Sequence, residues 1–181
     1  VGEQTAERVK CQVGNAYMLD EHAVYTDRML AYGADQVRNL NQRVGPYPFT
    51  ELDLVDAPGA FGGIEYPGEV FIGVVGPDSF FEIATVHEVG HQWFYSVLGD
   101  DQLREPWLDE AFASYTEVLY FEAKEGAKAR EREVESSRSY YELALSDSKL
   151  PIGLPVDRYA DDSDYFAAVY EKGKVFLDVK P

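Results

Sequence analysis

The stretch Pro77-Asp-Ser79-Phe-Phe-Glu82-Ile-Ala-Thr-Val-His87-Glu88-Val-Gly-His91-Gln-Trp93 decides how this chain is read. Ser79 and Glu82 match the S-x-x-E capping box, in which each residue satisfies an orphan backbone donor of the other at a helix start. The box predicts a helix that opens here and runs to Leu98, with Gly99 as its stop. His87 and His91 then lie mid-helix, about one turn apart, so both imidazoles leave one face and can share a cation. Glu88 sits beside that face, placed to take a proton from a metal-activated water rather than to ligate the metal. Two of the three histidines in the chain fall into this H-E-x-x-H pattern.

Upstream, apolar residues Tyr25, Met29, Tyr32, Leu40 and Val44 recur at helical spacing between Glu21 and Val44, until Gly45, Pro46 and Pro48 stop the run. Residues 1–20 are mixed and offer at most a short strand. Glu51–Ala57 and Glu69–Val75 read as strands from their β-branched and alternating content. Between them, Pro58–Gly68 is rich in glycine and proline and predicts a loop or an irregular edge. Downstream, Pro106-Trp107 opens a helix to about Glu125, closed by Gly126. A charged helix covers Ala127–Leu145, Ser146–Asp164 is loop, and a last helix begins near Asp164. The expectation is an α+β chain forming one domain over residues 1–181, a small and mostly antiparallel N-terminal sheet followed by helices. Both ends look cut from a longer chain, so localisation stays open.

The bulk properties exclude more than they assert. A length of 181 residues suffices for a core without staples. The net charge of −17 argues against nucleic acid or an anionic membrane as partner, since both call for a basic face. It suits both a solvated acidic surface and a cleft that attracts a peptide amine. Cys11 is the single cysteine, which removes any internal disulfide and any cysteine-based zinc site. No apolar run reaches the roughly 18 residues that span a bilayer.

Zinc suits two histidine nitrogens and one carboxylate with a fourth position left for water. Glu110, 19 positions after His91 in Trp107-Leu-Asp-Glu-Ala-Phe-Ala-Ser-Tyr115, is the candidate third ligand. A helix–turn–helix arrangement would return the start of its helix to the first. Ser114 and Glu117 share its helical face, where support of a histidine and plain solvation both remain open.

These residues resemble those of the gluzincin aminopeptidases, the relatives of aminopeptidase N and of the leukotriene hydrolase–aminopeptidase. His87-Glu-x-x-His91 followed at the family's spacing by Glu110 within Trp-Leu-x-Glu-Ala-Phe-Ala matches their zinc signature. Gln92-Trp93-Phe94 resembles its continuation, Gly62-Gly63-Ile64-Glu65-Tyr66 resembles their G-x-M-E-N motif, and Tyr170-Glu171-Lys172-Gly173 resembles the segment of their catalytic tyrosine. The resemblance implies a thermolysin-like catalytic domain, C-terminally truncated, and one Zn2+ per chain held by His87, His91 and Glu110. It further implies Glu88 as general base and Tyr170 as donor to the oxyanion of the tetrahedral intermediate. Glu65 would bind the substrate's free α-amine, and the backbone at Gly62 and Gly63 would pair with an extended substrate. The implied partners are peptides with a free N-terminus and the other domains of a full-length chain.

The match departs from the family at Ile64, Tyr66 and Asp109, where methionine and two asparagines are usual. Tyr66 in particular keeps an endopeptidase or other hydrolase on the same scaffold in play, and because the resemblance covers only the family's middle domain, an isolated domain that only binds zinc is a further alternative.

Overall fold

The computed structural model describes residues 14–59, 62–74, 76–147 and 149–178, which form two compact units, residues 1–97 and 98–181. Cys11, most of the N-terminal segment and the last residue of the expected strand 69–75 lie outside the described residues.

The first unit is a four-stranded sheet with two helices. Strand β1 (Ala16–Tyr17) leads through a 3-10 turn (Asp20–Tyr25) into helix α1 (Thr26–Arg43). Strands β2 (Asp53–Asp56), β3 (Gly63–Tyr66) and β4 (Glu69–Ile72) follow, then helix α2 (Asp78–Gly90). The core is apolar and closed: Met29, Val37 and Leu40 of α1, Leu54 of β2, Val70 and Ile72 of β4, and Val86 and Val89 of α2 are all fully buried. At Gly33 a β-carbon would come within 2.8 Å of Leu54 Cδ1, so glycine lets α1 lie close on the sheet.

The sheet order is β1-β2-β4-β3, and it corrects the expectation of a mostly antiparallel sheet. β1 pairs β2 in parallel and β2 pairs β4 in parallel; only β3 and β4 run antiparallel. The chain leaving β2 passes beyond the neighbouring position, lays down β3 at the edge, and returns as β4 in between. Strand patterning tells which face is buried but not which neighbour a strand takes, so direction was not encoded in the features read. The glycine-rich stretch before Pro67 therefore contains a regular edge strand rather than only loop.

Helix α2 also differs from its sequence reading at both ends. Pro77, in extended backbone, is its N-cap and has no side-chain acceptor for a cap bond, while Ser79 lies inside the first turn, so the capping box does not form. Proline presets φ for a chain entering a helix and displaces the boundary by two residues. The helix ends at Gly90 with His91 as its C-cap, not at Leu98. Beyond it the bonds tighten to three-residue closures, Gln92 N–H to Val89 O (3.1 Å) and Trp93 N–H to Gly90 O (3.1 Å). Tyr95 then takes φ +118°, which no helix continues through.

The second unit is helical. A 3-10 turn (Pro106–Leu108) precedes α3 (Glu110–Glu125), Gly126 at φ +93° breaks the chain, and α4 (Ala127–Ala144) packs back on α3. After a loop, α5 (Asp162–Phe166) is capped by the Asp161 carboxylate, which accepts from Asp164 N–H at 2.9 Å. It runs into a π-helical turn (Ala167–Lys172) and α6 (Gly173–Leu177), so the expected last helix is one continuous but unevenly wound rod. Tyr159, Ala168 and Val169 form a local core with Trp107, Leu150 and Leu154 around it. Among the described residues no helix is long and apolar enough to cross a membrane.

Candidate active site

In the first unit the C-terminal end of α2 brings His87, Glu88 and His91 together. All three are buried, His91 almost completely. The backbone N–H of His91 still reaches His87 O at 3.3 Å, so the one-turn spacing holds although the pair sits at the helix end and not in its middle. The rings meet edge to face with centroids 4.8 Å apart.

Their chemistry fits a metal ion. His91 Nδ1 lies 3.1 Å from Phe94 O, and a carbonyl only accepts, so Nδ1 of the neutral ring carries the proton and Nε2 keeps its lone pair. That Nε2 is 3.1 Å from His87 Nε2. Two nitrogens bound at about 2.0–2.1 Å in a tetrahedron would stand about 3.3 Å apart. The turn that ends α2 thus fixes both the tautomer and the direction of the His91 ring.

Strand β3 adds to this cluster. Gly63 and Glu65 share its half-buried face, while Ile64 and Tyr66 point to the exposed one. Carboxylate oxygens of Glu65 and Glu88 and a ring nitrogen of His91 lie within 4.8 Å of one another. At Gly63 a β-carbon would stand 2.6 Å from the Glu88 carboxyl carbon, so only glycine leaves the carboxylate where it is. Gly62 abuts Phe80, where a β-carbon would come within 3.3 Å of its ring. The Tyr66 ring instead packs edge-on against Phe71, centroids 5.8 Å apart, on the face away from Glu65. The side chain that breaks the resemblance therefore leaves the Glu65 face untouched.

In the second unit Glu110 is the first residue of α3, and Tyr170 lies in the π-helical turn. The wider winding of such turns re-aims side chains and recurs at functional positions. Tyr170 stacks on Phe166 (4.8 Å) and meets Tyr165 edge-on (5.8 Å). Burial first, and then the Glu110 carboxylate, push the Tyr165 phenol well above its usual range, while its hydrogen bond with Tyr170 pulls the other way. Tyr165 thus interacts with both the expected ligand and the expected oxyanion donor. Close packing sets this arrangement: at Gly173 a β-carbon would lie 2.6 Å from Ala111 Cβ in the first turn of α3. Next to it, buried Lys174 donates to Glu117 Oε2 at 2.7 Å, with Glu171 at 3.8 Å. Burial alone would lower the Lys174 pKa, but the Glu117 and Glu171 charges outweigh it and hold it above the ordinary value. Glu117 is therefore an internal ion-pair partner and not a solvated surface residue.

Residues 79–179, more than half of the chain, match the Peptidase family M1 domain. The chain belongs to peptidase family M1. It is 27% identical to human aminopeptidase O over 75% of its own length and 19% of that protein. It is 28% identical to rat aminopeptidase B over 74% of its length and 22% of that protein. Among solved structures it resembles yeast LTA4 hydrolase, with a TM-score of 0.67 and 17% identity over 86% of this chain and 27% of that one. It also resembles the M1 zinc metallopeptidase from Deinococcus radiodurans, with a TM-score of 0.59 and 23% identity over 78% of this chain and 30% of that one. The chain thus spans about a fifth of the length of these curated relatives. For this M1 chain, Gly173, Lys174 and Tyr165 are site neighbours that sequence reading did not single out. A lysine directly before an apolar run carries no signal of burial until its partner Glu117, 57 positions away, is known.

Proposed function

We propose that this chain is the thermolysin-like catalytic domain of a zinc aminopeptidase, which releases N-terminal amino acids from peptides. The observation that carries the reading is the convergence of His87 Nε2 and His91 Nε2 at 3.1 Å beside the paired carboxylates of Glu65 and Glu88. Membership of peptidase family M1, and aminopeptidases among the relatives, support the reaction class.

His87, His91 and Glu110 would hold one zinc ion, two neutral nitrogens and one carboxylate being a donor set that zinc favours. When bound, zinc supplies Lewis acidity, polarising the scissile carbonyl and making water a better nucleophile near neutral pH. Glu88 takes the proton from the attacking water on its carboxylate and returns it to the departing amine nitrogen. Tyr170 donates its phenolic O–H to the oxygen on which negative charge develops. Glu65 accepts hydrogen bonds from the substrate α-ammonium and so selects the chain end. Strand β3 lies at the sheet edge, and the Gly62-Gly63 backbone pairs there with the extended substrate. The domain acts together with the other domains of the full-length chain, and the acidic balance favours cationic amines over nucleic acid.

The test uses the full-length protein. One zinc per chain is expected, lost in His87→Ala and in Glu110→Ala. Glu88→Gln keeps the zinc and lowers kcat by about 10²- to 10⁴-fold. Full turnover in zinc-replete Glu88→Gln would overturn the mechanism. Equal cleavage of N-acetylated and free-amine peptides would replace it with the endopeptidase reading.

A further inference from the structure

Gln92, the residue directly after His91, is fully buried and makes no use of its position on the metal-bearing segment. Its side-chain amide turns instead toward the β3–β4 hairpin. Nε2 donates to Tyr66 O at 2.9 Å, and Oε1 accepts from Gly68 N–H at 2.9 Å. The Tyr47 hydroxyl, itself buried, lies 3.4 Å from the same Oε1 and 3.0 Å from Glu51 O. One amide thereby grips both sides of the two-residue turn Pro67-Gly68 that joins Tyr66 to its ladder partner Glu69.

That turn needs an external hold. Two-residue hairpins favour turns whose first central residue has φ above zero, because these match the twist of the strands. Proline locks φ near −65°, so Pro67 excludes both favoured types. Gly68, at φ +82°, provides the left-handed second position that a Pro-Gly turn requires, and such turns splay the strands they join. Tyr66 and Glu69 pair across the turn and Asp53 N–H donates to Gly68 O at 2.9 Å, and Gln92 adds the hold that ties the turn to the histidine-bearing segment. The donor and the acceptor must be present together, which among side chains of this length only a primary amide provides.

We infer that Gln92 is a positioning residue for substrate-amine recognition, holding the edge strand that carries Glu65 in register with the end of the histidine-bearing helix. Glu65 lies one residue before the carbonyl that Gln92 holds, and Gly63 is on the same strand against Glu88. Release of the turn would let β3 drift and would move the Glu65 carboxylate relative to Glu88 and His91. Because the Tyr66 contact is through its backbone, the tyrosine side chain is free to depart from the family pattern without disturbing the hold. This inference rests on the reading of Glu65 as the amine anchor.

The experiment compares full-length wild type, Gln92→Met, Gln92→Glu, Glu65→Ala and Glu65→Ala/Gln92→Met. The readouts are zinc content, kcat and KM on a free-amine dipeptide, and amide hydrogen exchange at Gly68. Gln92→Met is expected to keep one zinc per chain, to raise KM about tenfold with kcat changed much less, and to speed Gly68 exchange about tenfold. Gln92→Glu, which keeps the acceptor but sets a carboxylate oxygen against Tyr66 O, should show a change of the same kind that is at least as large. Combined with Glu65→Ala, Gln92→Met should add no further rise in KM. Unchanged Gly68 exchange in both Gln92 variants overturns the hold on the turn. Fast exchange with unchanged KM overturns its link to recognition, and so does zinc loss with a fall in kcat alone. A wild type indifferent to blocking of the substrate amine overturns the Glu65 reading instead, and the exchange result separates the two failures.

Discussion

In residues 1–97 two buried amides tie distant segments together beside the histidines, whereas in residues 98–181 ion pairs tie distant helices together. Gln92 grips the β3–β4 turn, and Gln36 donates to Val86 O on the helix that carries the histidines, at 3.1 Å. In the second unit Lys174 joins α6 to α3 through Glu117, and Arg130 joins α4 to Asp178 at 2.6 Å. An amide donates and accepts at once and brings no net charge, so it braces a strand beside the two histidines without adding a charge there. An ion pair braces helices more strongly while complete, and leaves a costly buried charge when one partner is lost. The two units should therefore respond differently to the same kinds of damage.

The largest difference is expected at Lys174. Lys174→Met strands the Glu117 carboxylate in the interior and should cost about 3–5 kcal/mol in urea or thermal unfolding. Adding Glu117→Leu should recover most of that loss, because a buried pair is often replaceable by apolar groups of similar volume. A loss as small as that of an exposed ion pair in Lys174→Met would erase the contrast between the units. Next in size are two glycines whose added β-carbon would fall within 2.4 Å (Gly63) and 2.6 Å (Gly173) of a neighbour. Gly173→Ala presses on Ala111 and should cost about 1–3 kcal/mol of stability. Gly63→Ala presses on the Glu88 carboxylate and should lower kcat about tenfold or more, with zinc content and melting temperature little changed. The smallest effect is in pH. The Lys174 pKa is raised in the folded state, so its contribution is complete below the unfolded value of about 10.4 and is lost as pH rises through the folded value. Unfolding followed into alkali should show that limb in wild type and in Gln92→Met, and lack it in Lys174→Met.

What could be read from the sequence was what is local. His87, Glu88 and His91 were legible because one helical turn fixes their relation whatever surrounds them, and the relation survives at the helix end. Glu65 and Gly63 were legible through the resemblance, and the strand period explains why they share a face. The capping box failed because Pro77, with its φ preset, takes the cap before Ser79 is reached. Strand direction failed because the burial pattern of β2 and β4 is the same whether the neighbour runs up or down. The hold that Gln92 makes, beyond its place in the motif, and the burial of Lys174 were silent for a related reason. Their partners lie 24 and 57 positions away, and only the fold makes an amide or an ammonium at those places meaningful.

The early end of α2 has an electrostatic consequence. The last carbonyls of a helix are unsatisfied by the helix itself and together carry a partial charge of about −0.5. With His91 as C-cap, this negative pole falls at the imidazoles, whereas a helix continued to Leu98 would have carried it about two turns further on. The fold thus favours positive charge at this spot through its peptide groups alone, before any side chain donates an electron pair. A substitution that merely lengthened α2 would weaken cation affinity while leaving both histidines in the sequence.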